Sequence, residues 1–365
     1  MKNTFGTGIS LTVFGESHGE AVGVVLDGIA PGLTVSDESI RTALALRRPT
    51  GAYSTARVED DNYRILSGVK NGVTTGAPLT LIIPNENIKS EDYEGECIPR
   101  PSHADYPAHI RYHGCEDRAG GGHFSGRLTA PIVAVCAILR DALREKFGIE
   151  IGTHILSLHN ICDEHMQGTR EEIQQLSSLA FPVLSEAVEE EMKAQILRAR
   201  EVGDSVGGVL ESAIVGVPVG LGEPWFDSVE SVLSHLLFSI GGVKGVEFGD
   251  GFTLATKYGS EANDPYRMEG NQVVCETNAN GGALGGLTNG MPIIVRCAVK
   301  PTPSIAKEQK SVNLNTGEEC TLHIRGRHDG AIVHRVASVV NALLAFGISD
   351  MLVCRYGTDV LCRGL

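Results

Sequence analysis

Two kinds of residue in this chain could do chemistry: histidines placed beside glycine or aspartate, and arginines placed beside glycine loops. His18 sits inside Gly15-Glu-Ser-His-Gly19, a turn bounded by glycine on both sides. Imidazole changes charge near neutral pH, which suits it to general acid or base work. Glycine on both flanks admits a ligand close to the ring, and a histidine buried for packing alone is the other reading. His103-Ala-Asp105, followed by His109 and His113, forms the richest polar cluster in the sequence. Two histidines four apart, with Asp105 as a third ligand, could hold a metal ion on one helix face. They could equally be solvated loop residues.

A second feature is Cys115-Glu-Asp-Arg-Ala-Gly-Gly-Gly-His-Phe-Ser-Gly-Arg-Leu-Thr-Ala130. Three glycines in a row take backbone angles that a β-carbon forbids. The apolar spacing of Ile132, Val135, Ile138, Leu139 and Leu143 predicts a helix from Leu128 to Phe147, with Pro131 in its first turn. A glycine loop feeding a helix offers free N–H groups and a positive dipole end to an anion. Arg118 and Arg127 flank it with guanidinium forks. No Walker A lysine and no GxGxxG is present, so a tight turn before a core helix is the alternative. Near the C-terminus, Arg325-Gly-Arg-His-Asp-Gly330 repeats the pattern of arginine and glycine before a helix, and Arg327 with Asp329 could form only a local ion pair. Lys300-Pro-Thr-Pro-Ser304 adds a cation and two hydroxyls on a proline-stiffened segment.

The elements that must carry these residues follow from periodicity. Residues 8–30 read as two strands around a short loop. Ser36 caps a helix running to about Leu46, and Arg47-Arg48-Pro49 ends it. Residues 50–63, which include Arg57, read as loop. Strands are expected from Tyr63 to Ser67 and from Pro78 to Ile83, with a Lys70-Asn71-Gly72 turn between. Residues 84–114 read as a long irregular loop. An amphipathic helix is expected over 183–202, a strand over 203–222, a helix over 228–238 and strand pieces over 239–300. A loop follows at 301–314, then a hairpin around Asn315-Thr316-Gly317 and a last helix from about 330 to 346.

A faint internal repeat runs through the chain. Gly15-Glu-Ser-His-Gly19, Gly28 and Gly32-Leu33 match Gly203-Asp-Ser-Val-Gly207, Gly216 and Gly220-Leu221. Gly76 to Leu79 resembles Gly290 to Ile293, and Gly126-Arg127 with Ile132-Val133 resembles Gly326-Arg327 with Ile332-Val333. The order is the same in both halves, which suggests a duplicated α+β unit with pseudo-two-fold symmetry. No linker composition separates the halves, so residues 1–365 are expected to form a single domain.

Composition bounds the partners. The chain has 365 residues, 42% hydrophobic and 21% charged, with 44 glycines spread without period. A net charge of −14 argues against nucleic acid and requires any anionic ligand to be held by a local arginine cluster. Nine cysteines without a CxxC pair point to reduced thiols in the cytoplasm rather than a zinc site. No apolar signal core opens the chain, and its longest apolar run is too short for a bilayer, so no membrane role is expected.

Taken together, GESHG at 15–19, RPSHAD at 100–105, the triple glycine with Ser125 and Arg127, DSxG and SIGGVKGVEFGDGF within 204–252, KPTPSI at 300–305 and GRHD at 326–329 closely resemble the chorismate synthase family. The motifs run nearly the full length, in order. The resemblance implies a lyase that needs reduced FMN and eliminates phosphate from 5-enolpyruvylshikimate 3-phosphate in an anti-1,4 sense, giving chorismate. It implies that His18 protonates the leaving phosphate, that His103 protonates the reduced flavin near N1, and that Asp329 assists proton removal at N5. Arg47, Arg48, Arg57 and Arg127 would take the substrate's acid groups. The flavin would meet His123, Phe124, Ser125, Gly241, Gly242, Gly285, Lys300, Pro301, Thr302, Pro303, Ser304 and Arg327. A β-α-β sandwich of antiparallel sheets around helices, assembled as a homotetramer, is the implied fold. No reductase-like segment is visible, so an external flavin reductase, rather than NADPH used by the chain itself, is expected to supply electrons. A metal-dependent phosphohydrolase built on His103, Asp105, His109 and His113 is the rival reading. The sequence departs from the common family pattern at His123-Phe124, where Arg-Ser is usual, and at Gly330, where proline is usual. The stretch after Pro49 is also one residue shorter and lacks its arginine.

Overall fold

The computed structural model describes residues 2–51, 53–54, 60–86, 97–324 and 329–365. Arg57 and Arg327 lie outside the described residues. Nine free cysteines are present, none within a disulfide.

Two five-stranded antiparallel sheets enclose a layer of helices. The first contains β1 (Thr4–Phe5), β2 (Ser10–Gly15), β3 (Ala21–Asp27), β4 (Arg64–Ser67) and β5 (Leu79–Pro84), in the order β1-β2-β3-β5-β4. The second contains β6 (Glu150–Leu158), β7 (Ile161–Cys162), β8 (Gly208–Val215), β9 (Val243–Phe248) and β10 (Ile293–Val299), in the order β9-β10-β8-β6-β7. Period-two alternation explains the inner faces. Val22, Val24 and Leu26 of β3, with Leu79, Leu81 and Ile83 of β5, are all fully buried. Against them lie helices α1 (Asp37–Arg47) and α3 (Thr129–Phe147), and α3 packs in turn on α6 (Val333–Tyr356), which covers β6 and β8. One apolar cluster runs through both sheets and the helices between them. The fold is therefore α+β, a β-α-β sandwich of the kind the sequence implied.

The repeat is visible in hydrogen bonds. In the first half Thr74 Oγ1 accepts from Leu33 N at 2.9 Å and donates to Ala30 O at 2.7 Å. In the second half Thr288 Oγ1 accepts from Leu221 N at 2.9 Å and donates to Pro218 O at 2.6 Å. Gly32 N and Gly220 N likewise donate to the carbonyls of Thr74 and Thr288. Read from β4 and from β9, the first four strands of the two sheets also correspond in chain order, while the fifth differs: β1 precedes β2 and β7 follows β6.

Three expectations are corrected. The last helix runs to Tyr356 rather than stopping near 346, because Gly347, Ser349 and Asp350 sit inside it. The Asp350 carboxylate is satisfied by the backbone N–H groups of Thr7, Gly8 and Ile9, at 2.7–3.1 Å, so it anchors the N-terminal strands rather than ending the helix. This helix is long and apolar enough to cross a bilayer, yet 89% of its apolar window is buried inside the protein. The stretch 84–114 contains a two-turn helix, α2 (Asp105–Arg111), whose Pro107 falls in the first turn where no amide hydrogen is needed. Finally, part of the loop expected at 301–314 is a strand, Gln309–Val312, paired with Glu319–Leu322. The helices expected over 183–202 and 228–238 are α4 (Glu186–Glu201) and α5 (Val229–Phe238).

Candidate active site

The triple glycine joins the two sequence-separated histidines. Residues Ala119–Phe124 form a tight 3-10 turn in which Gly120, Gly121 and Gly122 take φ of 60°, 87° and 51°. All three lie in the left-handed region that side chains resist. A β-carbon on Gly120 would overlap Cε1 and Nδ1 of the His18 imidazole. One on Gly121 would lie 3.6 Å from Cε1 and Nε2 of His103. The glycines therefore serve close packing of two imidazoles on consecutive backbone positions, as well as the turn. Gly122 O accepts from Ser17 N at 3.1 Å, which fixes the β2–β3 loop to the same turn.

His103 is oriented by its own neighbours. Its Nδ1 lies 2.6 Å from Asp105 Oδ1, and Arg100 grips the same carboxylate with Nε at 2.8 Å and Nη2 at 2.9 Å. Burial opposes the Asp105 charge, but the hydrogen bonds from Arg100 and His103 outweigh it and hold the pKa well below the usual carboxylate range. An ionised carboxylate on Nδ1 marks that nitrogen as the protonated one and leaves Nε2, the atom against Gly121, for chemistry.

Asp329 and the Lys300–Ser304 segment belong to the same cluster. Arg100 Nη1 donates to Ser304 Oγ at 3.3 Å. Thr302 Oγ1 donates to Asp329 O at 2.9 Å, and Ser205 Oγ donates to Thr302 O at 2.8 Å. Lys300 N donates to Gly242 O, and its ammonium reaches Ser102 O at 2.5 Å, one residue from His103. Burial and the neighbouring Lys244 charge push the Lys300 pKa down. Pro301 is exposed, Pro303 O accepts from Gln309, and a β-carbon on Gly241 would meet nothing within 4 Å. The Asp329 carboxylate pairs with Arg335 at 3.0 Å, and Arg335 Nε also donates to Arg47 O at 3.1 Å.

The arginines meet at one carboxylate. Arg47 Nη1 lies 3.6 Å and Arg48 Nε 3.4 Å from Asp61 Oδ2, and Arg127 Nη1 contacts Asp61 Oδ1. Arg47 and Arg127 are buried, and Arg48 is partly exposed. Asn85 ties this cradle to His18: its amide donates to Glu16 O at 3.0 Å and Gly19 O at 2.8 Å, while its Oδ1 accepts from Arg127 Nε at 3.2 Å.

The remaining candidates have other settings. His123 Nδ1 donates to Gly15 O at 2.8 Å and Nε2 lies 3.3 Å from Asn3 Oδ1, so this ring braces the end of β2. Phe124 is exposed, edge-on to Tyr112, and Ser125 caps the Gly126–Leu128 turn by accepting from Arg127 N. Gly285 lies in a hairpin formed by Ala283–Leu284 and Leu287–Thr288, and no hydrogen bond between described residues links it to the cluster. His109 pairs with Glu116 at 3.0 Å, and His113, at φ 57°, lies beyond the end of α2. Among the described residues no three His, Cys, Asp or Glu side chains stand close enough to hold a metal ion, so the phosphohydrolase reading gains no support from geometry. Arg100, Asn85, Asp61 and Arg335 were not singled out from sequence. Arg100 alone had a signal, as part of RPSHAD.

The family model described as chorismate synthase matches residues 9–353. A protein named chorismate synthase from Pyrococcus abyssi is 47% identical over 95% of this chain and 96% of its own length. One of the same name from Thermococcus kodakarensis is 44% identical over 97% and 99%. A solved structure titled as that of chorismate synthase, 29% identical, superposes with a TM-score of 0.77 over 97% of this chain and 94% of its own. Sequence and fold match over nearly the whole chain, and the chain belongs to the chorismate synthase family.

Proposed function

We propose that the chain is a lyase that converts 5-enolpyruvylshikimate 3-phosphate to chorismate and phosphate, and that it requires reduced FMN. The observation that carries the reading is the seating of His18 and His103 on consecutive glycines, beside a cradle of arginines. A reaction that expels phosphate needs an acid at the leaving oxygen and cations for the substrate's acid groups. His18 supplies the first, and Arg47, Arg48 and Arg127, with Arg57, supply the second. His103, aligned through Nδ1 by Asp105, delivers a proton from Nε2 as the imidazolium and is left with its proton on Nδ1. Asp329, held by Arg335, receives or relays the proton lost from the ring.

The residues present fit a flavin mononucleotide. Gly241 leaves space above the backbone, and Lys300 beside Lys244 is a pair of like charges that a phosphate would relieve. Lys300, Thr302, Ser304, Gly242, Arg327 and the His123–Ser125 turn would hold it. Reduced FMN, when bound, supplies electron density for C–O cleavage and a proton acceptor, with no net redox change. We further propose that residues 1–365 form one domain, that the enzyme is a cytoplasmic homotetramer, and that an external reductase supplies the reduced flavin. Highly exposed Trp225, Phe226 and Phe252 favour burial against other copies.

The test is phosphate release from the substrate under nitrogen, with reduced and with oxidised FMN. Turnover is expected only with the reduced form. Equal turnover with oxidised FMN in air and no reductant would end the proposal.

A further inference from the structure

Asp61 stands where a ligand's acid group is expected. Its carboxylate is almost wholly buried and faces the guanidinium groups of Arg47, Arg48 and Arg127. A structural counter-charge would look similar, but two features separate the cases. First, the forks have neutral anchors of their own. Arg47 donates to Thr129 Oγ1 at 2.9 Å and Gly126 O at 2.8 Å, and Arg127 to Asn85 Oδ1 at 3.2 Å and Pro84 O at 3.3 Å. The cradle is thus positioned by groups other than Asp61. Second, Asp61 takes φ of 49°, a left-handed conformation that side chains adopt at a cost, in a stretch before β4 that is neither helix nor strand. A strained residue held by charge at a site with independent anchors is suited to displacement.

We infer that Asp61 is a built-in anion that occupies the arginine cradle when no substrate is bound, and so sets the affinity of the cradle for phosphate or carboxylate. This rests on the reading of those arginines as the substrate's anion site. An anion entering the cradle must displace the Asp61 carboxylate, and the apparent affinity is lowered by the fraction of molecules in which Asp61 holds the arginines. Asn at this position keeps the shape and a hydrogen-bond acceptor but loses the charge.

The experiment compares wild type with Asp61→Asn for inhibition by inorganic phosphate and by malonate, and for the substrate's KM under saturating reduced FMN. Asp61→Asn is expected to lower the KM and at least one inhibition constant by roughly tenfold, about 1.4 kcal/mol. A gain confined to phosphate assigns the cradle to the phosphate group, and a gain with malonate assigns it to a carboxylate; both support the inference. Unchanged or weaker binding overturns it. So does failure of both Asp61→Asn and Asp61→Ser to fold, which makes the carboxylate a structural counter-charge. Arg48→Ala separates the underlying reading: an unchanged KM there would remove the cradle from the substrate site, whatever Asp61 does.

Discussion

Gly120 and His18 are packed so closely that the glycine has no room for a side chain. The contact spans the β2–β3 loop and the turn before α3, about a hundred residues apart in sequence, and it places the imidazole of His18 one backbone position from that of His103. Gly120→Ala is therefore expected to displace His18 and reduce turnover by roughly 10-fold or more, a fraction of the 10²–10⁴ that a general acid contributes. Gly121→Ala meets His103 at an ordinary 3.6 Å and should cost mainly backbone strain, about 1 kcal/mol of stability. Comparing kcat and Tm of the two variants checks this; equal loss of kcat in both would contradict it.

His18→Ala and His103→Ala should each lower kcat by roughly 10²-fold or more with the fold intact. Asp105→Asn should act through His103, lowering kcat by roughly 10-fold while substrate KM changes little. Normal turnover in either alanine variant would leave that ring a packing role only.

Asp329→Asn separates proton transfer from simple ion pairing. With Arg335 as its partner, the carboxylate is held in place by a residue on α6. The variant is expected to bind FMN and substrate nearly as wild type does and to turn over slowly. Arg335→Gln should also slow turnover, because the carboxylate loses its orientation. Unchanged kcat in Asp329→Asn, measured with saturating reduced FMN, would return Asp329 to a structural role.

Much of the fold and site was legible in sequence, for identifiable reasons. Alternation marked β2, β3 and β5, and Ser36 marked the start of α1 because its hydroxyl caps Ser39 N. His18, His103, Asp329 and the arginines stood out because glycine, proline or aspartate flanked them. The convergence on Asp61 was not legible: it depends on three segments meeting in space, and a lone aspartate in a polar loop carries no pattern. Arg335 was hidden likewise, as one cation near the start of an apolar helix. The continuation of the last helix past 346 was not legible, because the backbone donors that satisfy the buried Asp350 lie near the N-terminus. The Asn315 hairpin was found from its turn residues, while its strands were missed because they alternate weakly.

His334 gives a pH prediction. It is buried next to Arg335, with Ser54 Oγ 2.7 Å from Nε2 and the Phe181 ring stacked at 5.7 Å. Burial, then the Arg335 charge, push its pKa down from 6.5 to about 3. Above 6.5 the ring is neutral folded and unfolded and contributes no slope. Below 6.5 the unfolded chain takes up a proton that the folded one refuses, so stability falls by up to about 1.4 kcal/mol per pH unit until the folded pKa is reached. His334→Gln should flatten the decline of Tm between pH 6 and 4. Parallel curves for the two proteins would show that the ring protonates without unfolding.

The most direct test of the central claim is product stoichiometry under nitrogen with photoreduced FMN and no NADPH. Chorismate and phosphate are expected in equal amounts, with many turnovers per flavin and the flavin still reduced at the end. Phosphate released without chorismate, or one flavin oxidised per turnover, would contradict it.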